Sequence, residues 1–295
     1  TDMESMFRDA TSFNQDISNW NVFNVTKMGD MFSGTDALSD LNKCAIHNAY
    51  KSNSNWPYDW SSGCWKPQNK AELQTAVDLW VSDNSSALSN YGVISTWDVS
   101  LITDMSNLFK DKSTFNDNIS NWDVSNVTNM YRMFYDADNF SQNLSNWDVS
   151  SVTSMFEMFR EADSFNGDIS SWDVSNATSI RGMFAQGKNF NQDISNWIVD
   201  NVTTMQGTFF QATNFNQDLS SWNVSSVTNM QGMFYQAVSF VGNISSWDVS
   251  SVTDMSDMFY GANALSDLNK CAIHTAYKSN SNWPYDWSSG CWKPQ

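Results

Sequence analysis

Tryptophan recurs every 25 residues, at Trp97, Trp122, Trp147, Trp172, Trp197, Trp222 and Trp247, with Trp20 as an earlier copy. A fixed period of this length marks a stacked-repeat architecture, because one repeat cannot bury its own apolar face and needs neighbours. The pattern around each tryptophan is T-x-M-x-x-M-F-x-x-A-x-x-F-N-x-D/N-I-S-x-W-D-V-S-x-V. In the turn that begins at Thr128, Met130, Met133, Phe134 and Ala137 fall at i, i+3, i+4 and i+7, one face of a short helix. Thr128 stands where an N-cap belongs, and the same Thr returns at Thr1, Thr26, Thr103, Thr153, Thr178, Thr203, Thr228 and Thr253. Phe140, Leu144, Trp147 and Val149 follow at shorter, alternating spacing, broken by Ser, Asn and Asp as turns require. Each repeat therefore reads as a short helix, a corner and one or two short strands, with neighbours about 4.8 Å apart.

A second period overlies the first. Residues 37–68 return at 264–295 with one change, Asn48 to Thr275, an offset of 227 residues. The turns ahead of the two copies, 1–36 and 228–263, agree at only 18 of 36 positions. Residues 69–295 thus read as one complete module, with an N-terminal cap at 69–90, repeat turns at 91–263 and a C-terminal cap at 264–295. Residues 1–68 read as the C-terminal part and end cap of a preceding module. Caps so alike beside turns so variable point to recent duplication or gene conversion, or to a shared docking surface between modules.

A stack needs caps because its ends expose an apolar face and unpaired strand edges. Leu73, Ala76, Val77 and Trp80 lie on one face of a helix expected over 71–81. Leu268, Cys271 and Ala272 open a helical stretch in the end cap, followed by an aromatic segment from Asn282 to Trp287. The four cysteines fall as Cys44 with Cys64 and Cys271 with Cys291, each pair 20 apart within a cap. Free thiols or metal ligation are the alternatives, but His47 and His274 are the only histidines, so each cap offers at most three zinc ligands. Intra-cap disulfides are the favoured reading, each contributing about 3 kcal/mol in the chain-entropy model. Such bonds imply an oxidising compartment and a secreted or cell-surface protein.

Charge narrows the partners. With 32 acidic against 15 basic residues the chain carries −17, which repels nucleic acid and anionic membranes. No run approaches the roughly 18 apolar residues of a membrane span, so no membrane insertion is expected in this segment. No signal peptide is recognisable, and Thr1 falls inside a repeat, so the chain is read as a section of a longer protein. There is no phosphate-binding glycine loop, nucleophile elbow, H-E-x-x-H or C-x-x-C. The two histidines occupy equivalent positions in repeated caps, so no unique acid–base pair can be built and no enzyme is expected. Each turn also carries Asp or Asn ahead of its Ile or Leu, at Asp16, Asn118, Asn143, Asp168, Asp193, Asp218 and Asn243. That ladder reads either as calcium ligands or as side chains bonded to the backbone at a recurring corner. The mixture of Asp and Asn favours the second, with no cofactor expected.

The string F-N-Q-D-I-S-N-W-x-V-x-N-V-T-x-M, from Phe13 to Met28 and from Phe190 to Met205, resembles the BspA-like surface-protein repeat. That repeat is grouped with a domain of unknown function first noted in mycoplasmal lipoproteins. The cap string L-S-D-L-N-K-C-A-I-H and the segment Y-G-V-I-S-T-W-D-V-S resemble the ends of such arrays in secreted proteins of marine microbes. The resemblance implies an α/β, leucine-rich-repeat-like solenoid of 25-residue turns, each a short helix plus short strands. A helical N-cap and a disulfide-bearing C-cap then close each module. It also implies extracellular placement and adhesive or structural roles, with no catalytic motif to transfer.

Functional differences between turns should lie on an exposed face. The residue after Met-Phe reads Lys110, Tyr135, Arg160, Ala185, Phe210, Tyr235 and Tyr260, a candidate contact ridge enriched in aromatics and Arg. The same residues could equally cover grooves between turns. Among many N-x-S/T sequons, Asn126, Asn176 and Asn201 recur at one position and are the candidate glycosylation sites. Two functional classes follow. One is an extracellular fibre or cell-surface stalk, a homopolymer or tandem array whose partners are neighbouring modules. The other is a surface adhesin whose faces bind host protein or glycan.

Overall fold

The computed structural model describes residues 1–291, so residues 292–295 of the expected end cap lie outside the described residues. Consecutive 25-residue segments lie parallel to one another as coils of a stack. Single-residue parallel bridges run from Asp104 through Asn129, Ser154, Ser179, Thr204 and Asn229 to Asp254, with one more between Asp2 and Lys27. These bridges stay isolated. Among the described residues no strand forms, and residues 97–266 contain no helix. The expected α/β leucine-rich-repeat-like solenoid is therefore incorrect. Each coil is a succession of tight turns bonded to the coils beside it.

The reason lies in where the backbone N–H groups go. Those of Met130, Arg132, Phe134 and Asp136 donate to carbonyls of the next coil, on Ser154, Phe156, Met158 and Arg160, at 2.8–2.9 Å. Those of Met133, Tyr135 and Ala137 close i→i−3 turns at 3.2 Å. An α-helix needs each N–H bonded four residues back, and here every second one leaves the segment. Arg132 and Asp136 also sit at φ 52° and 55°, left-handed positions that stop a right-handed helix. The spacing that suggests a helix arises because successive turns also bring Met130, Met133, Phe134 and Ala137 inward, each 0% exposed. Thr128 caps nothing: its N–H and Oγ1 both donate to the Thr103 carbonyl, at 2.8 and 3.2 Å, and each later Thr repeats the rung.

Inside the stack the tryptophans form a second rung. From Trp122 to Trp247 each indole Nε1 donates to a carbonyl 28 residues back, as Trp147 does to Ile119 and Trp172 to Leu144, both at 3.0 Å. Adjacent indoles lie parallel, and Phe134 stacks on Phe159 at 5.3 Å and on Phe140 at 4.1 Å. Buried apolar residues make two separate clusters, one from Ile17 to Tyr50 and one from Leu73 to Tyr277.

Among the described residues four α-helices lie at the stack ends: α1 (Asp40–Tyr50), α2 (Lys70–Ser82), α3 (Asn84–Tyr91) and α4 (Asp267–Tyr277). α2 is capped by Asn69 and buries Leu73, Ala76, Val77 and Trp80. α4 and the segment after it satisfy the groups that a further coil would have met. The Ile244 carbonyl, which would take an indole N–H, takes the Tyr277 hydroxyl at 2.6 Å. Asn280 Nδ2 serves the Val249 and Val252 carbonyls at 2.8 and 2.9 Å. The Phe259 N–H donates to the Tyr285 hydroxyl at 2.8 Å. α1 does the same with Tyr50, Asn53 and Tyr58. At the opposite end, Gln74 of α2 donates to the Leu108 carbonyl at 3.1 Å.

Removing one indole rung tests this construction. Trp172→Phe removes the indole bond from the Leu144 carbonyl, which keeps the Trp147 N–H, and should cost about 0.5–1.5 kcal/mol, read as a lower denaturant midpoint. Trp20→Phe, at a side chain already 41% exposed, should cost less.

Candidate functional site

The row formed by Lys110, Tyr135, Arg160, Phe210, Tyr235 and Tyr260 divides into two parts. In the first, Glu157 is 5% exposed and held between Arg132 Nε at 2.6 Å and Arg160 Nη1 at 2.8 Å. A carboxylate this buried needs such pairing, since an unpaired buried charge is costly. Arg160 also reaches Glu161 at 3.1 Å, the Tyr135 hydroxyl donates to Glu161 at 3.3 Å, and Lys110 pairs with Asp111 at 2.6 Å. In the second part, Phe210, Tyr235 and Tyr260 stack face to face at 4.6 and 4.9 Å. Ala185, between the two parts, is buried, and only Tyr260 is fully exposed, at 55%. The ridge residues thus pack chiefly on one another.

Beside the row lies a groove of about 290 Å³. Gly182, Gly207 and Gly232 line it, at φ 60°, 62° and 59°. They hold the left-handed position that Arg132 and Glu157 occupy in earlier coils and Asp257 in the next. Without side chains at three successive coils, the surface sinks. Arg181, Gln206 and Gln231, which precede the glycines, and Phe210 and Tyr235, which follow them, complete the lining with Glu157, Arg160 and Asp257. None of the three glycines is a sequence candidate, although glycines in phase with the 25-residue period signal a repeated left-handed position.

The Asp/Asn ladder bonds the backbone. Asp16, Asp168 and Asp193 each accept the N–H of the serine two residues on, at 2.8, 3.0 and 2.9 Å, and Asn118, Asn143, Asp218 and Asn243 do likewise. Among the described residues no three His, Cys, Asp or Glu side chains converge as metal ligands. The serine N–H groups hold the Asp168 and Asp193 carboxyls below their ordinary value. Asn126, Asn176 and Asn201 are exposed, and Nδ2 of each donates to a carbonyl of the previous coil, on Ser100, Ser150 and Ser175, at 2.7–2.9 Å.

Disulfides join Cys44 to Cys64 and Cys271 to Cys291, tying each cap helix to the 3-10 turn that ends its aromatic segment. The first cap does not face solvent alone. Asn48 Nδ2 lies 3.4 Å from the Thr96 carbonyl, and the Asp98 N–H donates to the Trp65 carbonyl at 3.0 Å. Trp65 packs edge-on to Trp97 at 4.9 Å.

A family model described as Mycoplasma protein of unknown function, DUF285, matches residues 1–58, 80–197 and 168–271. The chain belongs to this family. The DUF285 match takes in the coils of both stacks, and residues 59–79 and 272–295, with the tail of each cap, fall outside it. It bears on the mycoplasmal part of the resemblance and not on the BspA-like part. No curated protein and no solved structure matches the chain. Among the described residues no helix is long and apolar enough to cross a membrane. The two disulfides accord with a non-cytoplasmic setting for this DUF285 protein.

The carboxyl ladder predicts an acid limit. A folded pKa depressed below the unfolded 3.8 gives stability that is present above that value and lost as pH falls through the folded one. Near-UV circular dichroism should hold down to about pH 4 and decay below it. A variant with Asp168→Asn and Asp193→Asn, which keeps both acceptors, should lose less stability over that range.

Proposed function

We propose that the chain is a structural section of an extracellular fibre or cell-surface stalk, in which capped modules follow one another in tandem. The observation that carries this reading is the junction of the first cap with the second stack. The connection from Lys66 to Lys70 is short and tied down: Lys66 Nζ lies 2.9 Å from Asp98 and 3.1 Å from the Ser100 hydroxyl, and Lys70 lies 3.0 Å from Asp104. Modules joined this way have little freedom to separate, as a load-bearing strand requires. The 227-residue super-repeat, the near-identical caps and the BspA-like resemblance support the same reading. Many carboxylates here recur at two places in the repeat and accept the N–H two residues on, as Asp148, Asp168, Asp173, Asp193 and Asp248 do, which supports a non-enzymatic role. Electron microscopy of native material should show filaments with an axial repeat of one module. Isolated monomers under the same conditions would overturn the fibre reading.

The glycine-lined groove favours a second reading, an adhesin that holds glycan. Arg181, Gln206, Gln231 and Asp257 offer planar donors and acceptors beside Phe210 and Tyr235, a lining suited to the vicinal hydroxyls of a neutral saccharide. Gly207→Asn places a side chain in the groove at a position that tolerates Asn, at a cost of about 1 kcal/mol. It should abolish binding on a glycan array while the thermal unfolding curve stays near that of the parent. Unchanged binding, or none by the parent, removes this reading.

A further inference from the structure

The two caps share every residue over their 32 positions except Asn48 against Thr275, yet they differ in what covers them. On the first cap Leu41 is 37% exposed, Cys44 1% and Ala45 6%. On the second, Leu268 is 79% exposed, and Cys271 and Ala272 are only half-buried. Each cap has the same disulfide and the same tyrosine and asparagine bonds to its own stack, and what covers the first is the leading surface of the second stack, which lies against α1. Leu41 fits a notch at Gly92, whose φ is +74° and where any Cβ would collide with the Leu41 side chain. Beside it Trp65 packs on Tyr91 at 4.6 Å, and Cys44 Sγ lies 3.5 Å from the Thr96 carbonyl.

We infer that the outer face of α4, around Leu268, Cys271, Ala272 and Thr275, docks the leading surface of another module, one equivalent to residues 88–98. The occupant is a second copy of this module, placed as the second stack is placed on the first cap. The setting of the contact rests on the tandem reading above, while its geometry comes from the junction within the chain. Leu268 is the same apolar knob without its notch. The one difference between the caps falls on this contact. Asn48 Nδ2 donates to the Thr96 carbonyl at 3.4 Å and also reaches both sulfurs of its disulfide, at 3.4 and 3.5 Å. Thr275 has no amide with which to do so. The joint at α4 is therefore the weaker of the two, and the residue at this position sets its strength.

The fragment 69–295 retains Asn69 as the cap of α2 and the whole cluster from Leu73 to Tyr277, which shares no buried residue with the first. It presents both a free leading surface and a free α4. In sedimentation equilibrium it should associate head to tail, its mass rising with concentration, while the full chain stays monomeric alone and binds the fragment. Leu268→Asp should abolish association. Thr275→Asn should tighten it about fivefold, the worth of one added hydrogen bond. Far-UV circular dichroism checks that each variant is folded. The full chain carrying Leu41→Asp, which loosens the first cap from the notch, gives the same test without truncation: it should pair, and the variant with Leu41→Asp and Leu268→Asp should not. Folded protein that stays monomeric, or association indifferent to Leu268→Asp, overturns the inference. Association without native filaments would leave this contact standing and remove the fibre reading. Filaments with a monomeric fragment would do the reverse.

Discussion

Everything in this structure depends on a division of labour among backbone N–H groups. Along the segment from Met130 to Asp136, alternate N–H groups close tight turns and cross to the next coil. Neither set alone would hold a coil: the turns are too short to be a helix, and the crossings too sparse to be strands. Together they satisfy the backbone, which a buried chain must do. The left-handed residues at Arg132 and Asp136 make the alternation possible, since they redirect the chain after each turn. A left-handed residue costs about 1–2 kcal/mol, which glycine avoids and the inter-coil bonds offset elsewhere.

That arrangement explains the caps. A ladder that runs between coils leaves unmatched donors and acceptors at each end, and these lie beside a largely apolar interior. Tyr277, Asn280 and Tyr285 reach the particular carbonyls and N–H that a further coil would have met. Near-identity between the caps then has a physical cause beyond shared ancestry. A side chain that must meet a backbone group at one position has few substitutes, whereas a side chain on the outside of a coil has many.

The sequence made the inward-facing residues legible and misled about the backbone that turns them inward. Met130, Met133, Phe134 and Ala137 carry helical spacing, and all four are buried, but by a run of turns rather than a helix. Apolar periodicity reports which side chains are inside, and several backbone paths satisfy the same period. The polar pattern held better information. Thr at every coil reads as an N-cap in isolation, yet nine Thr with so few helix-favouring residues after them suit a rung between coils. In the cap, where α2 is a true helix, Ala71, Glu72, Leu73, Gln74 and Ala76 supply real helix propensity, and the expected bounds lie within one residue of those observed. The groove escaped notice for a related reason. It is made by what Gly182, Gly207 and Gly232 lack, and a search for chemistry-bearing side chains passes over an absence.

Variation between coils can therefore be sorted by the group it touches. A change at a rung, such as Thr to another residue, removes the Oγ1 bond to the coil before it and leaves the backbone bonds in place. A change at the first left-handed position removes no such rung, because its backbone bonds do not depend on its side chain. That position reads Asn107, Arg132, Glu157, Gly182, Gly207, Gly232 and Asp257, spanning both charges, an amide and no side chain at all. It is a place where a stack of this kind can acquire charge, an ion pair or a hollow without altering its frame. The Arg132–Glu157–Arg160 network and the groove beside Phe210 are two outcomes of that freedom on adjoining coils. Rigidity comes from the rungs and the caps, and surface chemistry from positions such as this one, whose side chains the ladder leaves unconstrained.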